Sequence, residues 1–210
     1  MDVHAPHKPI HSIKEFLVHL LAITIGLLIA LGLESTAEWV HHRHLAQDAR
    51  ENIFQEFRAN QKDMLRQLKA LPAEDKHLDE VLTLVDDAQH GRSHKPVEDY
   101  MWTGVLLRNS AWSAASSTGA IAFMDYSEVK RYSQIYDLQK IYISLMDRNL
   151  QDRHQMNVFL ARMAAPGKLS DAEYESGKQI ILSQKMAIQE YHEVDNYLND
   201  GYSRLLSQAK

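Results

Sequence analysis

FLVHLLAITIGLLIALGL, residues 16–33, has no charge in eighteen positions, and its only polar side chains are His19 and Thr24. At 1.5 Å per residue the run is about 27 Å long as a helix, close to the roughly 30 Å hydrocarbon core of a bilayer. A helix also satisfies its own backbone polar groups, which lipid cannot do for an open chain. The stretch therefore predicts a transmembrane helix. A secretory leader is the first competitor, because Lys8 and Lys14 precede the run and Ser35-Thr36-Ala37 loosely resembles a cleavage site. Leader cores span about 7–15 apolar residues, shorter than this one, so an anchor is the better reading, with a buried core helix as the remaining alternative.

Within the run, Ala22, Gly26 and Ala30 recur every four residues and fall near one face, continued by Glu34 above and His19 below. Small residues at this spacing allow close backbone approach, on which helix association in lipid depends. The face reads as a parallel self-association seam, against the plain alternative that Gly and Ala are common in membrane helices. An ionisable residue at membrane depth is a functional candidate. His19 lies only about one turn inside the boundary, which favours an interfacial neutral imidazole over a proton, ion or haem role.

About 175 residues follow the anchor, enough for a sizeable core. The net charge of −5 falls after it, since Asp2, Lys8, Lys14 and Glu15 cancel. This is no nucleic-acid footprint. With no cysteine, a disulfide framework is excluded. Lys8 and Lys14 on one side nearly balance Arg43 and Arg50 on the other, so the positive-inside count leans only slightly to a cytoplasmic N-terminus with the bulk outside.

Residues 1–12 read as a flexible tail, with Ser12 and Glu15 as a capping box opening the anchor over residues 13–34. No breaker follows until Pro72, which predicts a juxtamembrane helix over residues 35–71, with Trp39 in the headgroup layer. The remainder, 73–210, reads as a helical bundle. Its first helix runs from Ala73 to about His90, ended by Gly91 and a hinge over residues 92–96. Shorter helices are expected over residues 97–107 and 110–124, where SAASSTGAIA favours close packing over a small pocket. Asp125 with Glu128 forms a D-x-x-E box before a helix reaching about Ala164; Pro166-Gly167 stops it, and Ser170 with Glu173 opens the last. Two helices of about 35 residues joined by so short a turn should pair antiparallel. The fold class is thus all-α.

His41-His42-x-His44 is the most unusual polar cluster. Glu38-x-x-His41 and Glu74-x-x-His77 both match the Glu-x-x-His spacing of di-iron bundles, but such a site needs two further glutamates from other helices. Glu38, His41 and His44 are therefore only weak metal candidates, and no metal or other cofactor is expected. In an oligomer the same histidines would form a pH-sensitive ring, the alternative being a hydrated patch near lipid phosphates. Tyr126, Tyr132, Tyr136 and Tyr142 read as bundle core with hydroxyls reaching the surface. No nucleophile elbow, P-loop, dinucleotide loop or cysteine nucleophile is present, which argues against an enzyme.

ITIGLLIALGLESTAEW, residues 23–39, resembles the N-terminal anchor of an uncharacterised family of bacterial single-pass membrane proteins, with its I-G-x-L-I-A-L helix soon followed by Trp. AWSAASSTGAIAFMDYSEVKRYSQIYDLQ, residues 111–139, is similar to a second segment found with such anchors. The resemblance implies a bacterial inner-membrane protein and supplies no catalytic residues.

The expectation is a single-pass, homo-oligomeric scaffold, sensor or interaction protein, with the bilayer, copies of itself and an unidentified protein as partners. The alternatives are an oligomeric channel or channel accessory lined by the His19, Gly26 and Glu34 face, and a metal-dependent bundle enzyme.

Overall fold

The computed structural model describes residues 12–93 and 104–207, and every regular element among them is helical. Helix α1, Ile13–Gln89, is 77 residues long, about 115 Å at the α-helical rise. It opens on Ser12, whose hydroxyl accepts from the Lys14 amide at 3.2 Å. It closes where Gly91 takes φ +64° and donates to the Ala88 carbonyl at 3.2 Å. Short α2, Ser110–Ser117, and a 3₁₀ turn, Ala120–Phe123, lead to α3, Tyr126–Ala164, and α4, Asp171–Ser207.

The pairings fix the directions. Arg50 meets Glu128, Glu56 meets Tyr136, and Glu74 meets Arg153, so α3 climbs parallel to α1. Gln61 bonds Asn199, Lys185 bonds Asp79, and Lys178 bonds Asp86, so α4 descends antiparallel to it. The α3–α4 hairpin is thus antiparallel, as its short connection requires. Between α1 and α3 the chain comes back down α1 as segment 104–109, α2 and the 3₁₀ turn.

What holds the three long helices is a seven-residue repeat. On α1 the buried positions include Ala46, Ile53, Asn60, Gln67, Glu74 and Val81, interleaved with Phe57, Met64, Leu71, Leu78 and Val85, with Ala49 and Glu56 beside them at the lower end. On α4 they include Gly177, Gln184, Tyr191, Leu198 and Leu205, interleaved with Ile181, Ile188, Asp195 and Tyr202, with Gly201 beside them. Ile135, Tyr142, Asn149 and Met156 do the same on α3. This is the spacing of a coiled coil, whose helices meet along a continuous seam.

The bundle covers only part of α1. Every described residue from Ser12 to His41 is exposed, and His42 is the first that the rest of the chain covers. The lower segment holds the apolar run, the one described helical stretch long and apolar enough to cross a membrane.

Several expectations need correction. Pro72 does not divide two helices: α1 runs through it. Proline removes one backbone donor, but Pro72 faces solvent while Leu71, Glu74 and Leu78 are packed. Water can therefore serve the freed carbonyl while the seam holds the helix. Residues 104–107 are not helical; the tail over 1–11 and residues 94–103, with most of the expected hinge and helix there, lie outside the described residues.

Close approach of α4 to α3 depends on Gly201, where a Cβ would overlap the Cδ1 of Ile135, a buried side chain. Gly201→Val should lower stability by about 2–3 kcal/mol through overpacking, read as a lower urea midpoint. Gly201→Ala should cost less, because better helix propensity returns about 1 kcal/mol.

Candidate functional site

The polar layers of the coiled seam and the exposed lower half of α1 are the two places where function has material to work with. In the first, α1 uses polar side chains to grip the returning segment by its backbone. The Val105 amide donates to Gln67 Oε1 at 3.2 Å. Asn60 takes Arg108 by both groups: the Arg108 amide donates to Asn60 Oδ1 at 2.9 Å, and Asn60 Nδ2 donates to the Arg108 carbonyl at 2.8 Å. Glu56 Oε2 accepts from the Ala111 amide at 2.9 Å and the Ser110 hydroxyl at 3.0 Å. It thereby caps α2, since Asn109 supplies no side-chain cap of its own.

The same groups are tied to α3. Tyr136 donates to Glu56 Oε1 at 2.6 Å, and Tyr142 donates to Gln67 Oε1 at 2.6 Å. Burial first, and for Tyr136 the Glu56 carboxylate as well, raises these phenols far above the ordinary tyrosine value, so they act only as donors. Tyr132 is likewise raised by burial and by its 2.6 Å bond to Glu128. The hydroxyls thus turn inward to partners instead of reaching the surface as expected; Tyr126 alone of the four is exposed. Glu128, expected to close a capping box with Asp125, pairs with Arg50 at 2.7 Å. Burial would raise its carboxyl, but the bonds from Arg50 and Tyr132 carry it below the ordinary value. Asp125 caps α3 alone, accepting from the Ser127 amide at 2.8 Å.

Higher in the bundle, Gln184 Nε2 donates to the Asn149 carbonyl at 3.2 Å, and Glu74 forms a buried ion pair with Arg153. Burial raises the Glu74 carboxyl, and Arg153 opposes it. Asp195 differs from the rest. It is fully buried, neither carboxylate oxygen has a hydrogen-bond partner, and burial pushes its carboxyl from 3.8 up to about 7. The Tyr191 hydroxyl beside it in sequence register is also unpartnered. A protonated carboxyl is the form an apolar helix interface tolerates.

The residues singled out from sequence lie elsewhere. Ala22, Gly26, Ala30 and Glu34 are exposed on α1, and a Cβ at Gly26 would meet nothing within 4 Å, so a seam there has no counterpart among the described residues. His19 Nδ1 bonds the Glu15 carbonyl of its own helix at 3.0 Å, and Thr24 donates to the Leu20 carbonyl at 2.8 Å. Glu38, His41 and His44 are all exposed, and among the described residues no three His, Cys, Asp or Glu side chains converge as a metal site. His42, the one histidine of that cluster not singled out, is drawn into the fold by stacking on Phe123 at 3.7 Å. Sequence reasoning also missed Glu56, Gln67, Gln139 and Asp195; for Gln67 the signal was its seven-residue step from Asn60 and to Glu74.

Two outcomes follow. Asn60→Ala removes both bonds to Arg108, and should raise proteolytic cleavage near residue 108 while lowering stability by about 1–3 kcal/mol. For Asp195, the fold holds a proton that the unfolded chain releases near 3.8, so stability falls as pH rises from about 4 to about 7 and then levels off. The loss is on the order of 4 kcal/mol. Asp195→Asn should flatten that slope, stabilising the chain more at pH 8 than at pH 5 in denaturant titrations. No family model, no curated protein and no solved structure matches this chain.

Proposed function

We propose that this chain is a single-pass, homo-oligomeric membrane protein that holds a three-helix bundle at a membrane surface as a non-catalytic scaffold or interaction module. The observation that carries the reading is the unbroken course of α1 from an exposed apolar run into a buried coiled seam. An isolated apolar helix in water would have its large side chains wetted, from Ile13 at 82% to Leu33 at 69% exposed. Lipid removes that cost. Thr24 and one ring nitrogen of His19, the polar side chains within the run, already bond carbonyls of their own helix, which lowers the cost of burial in lipid.

Self-association is the use for the small-residue face of Ala22, Gly26 and Ala30, with Glu34 at its upper end, since none of the described residues packs on it. The bulk would stand on the outer side of a bacterial inner membrane. Glu56, Asn60 and Gln67 are engaged in holding the bundle's own segments in register, which favours an interaction role over a catalytic one.

The chain should stay with membranes after alkaline carbonate extraction; release into the supernatant would remove the anchor. In detergent, light scattering should give a multimer for the full chain. A monomer is expected for Gly26→Ile and for a chain starting at residue 40, with the helical content of the bundle kept. An unaltered multimer in Gly26→Ile would move assembly into the bundle, and a full-length monomer would sink the oligomer.

A further inference from the structure

The lower rim of the bundle carries an apolar surface that the coiled seam does not use. Phe123 ends the 3₁₀ turn and remains 43% exposed although its ring stacks on His42 at 3.7 Å. One turn below on α1, Trp39 and Val40 are 59% and 41% exposed, and the Arg43 guanidinium lies 5.4 Å from the Trp39 ring. No described residue of α1 below His42 is covered by the bundle. The Phe123 turn therefore forms the bundle's edge on the side of the apolar run.

Its height is set by α1. Trp39 stands six residues past Leu33, about 9 Å, and His42 about 13–14 Å. The headgroup region adds roughly 5–8 Å to each side of the hydrocarbon core. Side chains of a helix lean toward its N-terminus, which carries the His42 imidazole, on which the Phe123 ring stacks, toward the apolar run. Trp39 thus leans back to the outer part of the headgroup layer and Phe123 stands a few Å above it, and the tilt of about 20° usual for membrane helices brings that side of the rim to the level where aromatic rings partition. Positive groups near the rim, Arg43, Lys130 and Arg131, are offset by Glu34, Glu38 and Asp125, so charge does not select the surface.

We infer that Phe123 and its 3₁₀ turn, with Trp39, dock the base of the bundle onto the phospholipid headgroup layer, fixing the bundle against the membrane in addition to tethering it. The docking rests on the membrane reading above. It acts through aromatic insertion, and zwitterionic lipid suffices.

The chain has no cysteine, so single-cysteine labelling is clean. Ala122→Cys, Val158→Cys and Ile25→Cys, each carrying an environment-sensitive fluorophore, are reconstituted as full chains in phosphatidylcholine vesicles. All three positions are exposed within the chain. The Ala122 probe should be blue-shifted and quenched by headgroup-labelled lipid, the Val158 probe should be neither, and the Ile25 probe should be quenched by acyl-labelled lipid. Adding Phe123→Ser should abolish the Ala122 quenching without shifting the thermal midpoint in detergent by more than a few degrees. An Ala122 probe as wet as the Val158 probe, with Ile25 still in lipid, would overturn the docking and leave the anchor standing. An Ile25 probe accessible to aqueous iodide would overturn the anchor, and the docking with it. Quenching that survives Phe123→Ser would remove the aromatic contact.

Discussion

Everything in this fold hangs on one helix being compatible with two surroundings. Over its first thirty or so residues α1 has no neighbour among the described residues, and from Phe16 to Leu33 it carries no charged side chain on any face. Over its last forty it is apolar only along a seven-residue stripe, which two further helices and a returning segment cover. An α-helix satisfies its backbone by itself in either medium, so the change of surroundings needs no change of backbone. Side-chain pattern alone marks where one regime ends. That point is His42, with Leu45 and Ala46 as the first residues packed on the core.

The price of a narrow coiled seam is that apolar matching alone leaves it free to slide by a heptad. Polar residues at seam positions remove that freedom, because a shift would leave them buried without partners. Asn60 recognises the backbone of Arg108 with both ends of its amide, and Glu56 accepts three hydrogen bonds from Ser110, Ala111 and Tyr136. Each such contact defines one height of the returning segment on α1. Asp195 works in the opposite sense: with no partner for either oxygen it adds nothing to register and weakens the core where it sits.

The parts of the fold that were legible in sequence are those written locally. Ser170 and Glu173 form a complete capping box, with the Ser170 amide donating to Glu173 at 2.7 Å and the Glu173 amide donating to Ser170 at 3.3 Å. Pro166-Gly167 ends α3 at Ala164, and the apolar run stands out by composition alone. Where a distant residue competes, local reading fails: Glu128 leaves its cap because Arg50 is within reach. Pro72 was misread for the same reason, since packing of Leu71 and Leu78 on other helices outweighs a single lost donor. The polar layers were the least legible. Asn60 looks like an interruption when α1 is read by itself, and becomes a clamp only once Arg108 is brought beside it, 48 residues away in sequence.

The two apolar clusters of the bundle are not one continuous core. The lower includes Met64 and Met146, the upper begins at Leu71 and Met156, and between them lie Gln67, Asn149 and Arg153. Pro72 falls at the same level of α1, so the helix lacks a backbone bond where its apolar packing also thins. Regions with fewer apolar contacts and a broken ladder open first. Below that level the Tyr136 and Tyr202 rings pack within 5.5 Å of the Phe57 ring, so the lower cluster has no comparable gap. Apolar contact along α1 thus thins between the two clusters, where Gln67, Asn149 and the Glu74–Arg153 pair take its place, and local opening is expected there before the ends of either cluster part.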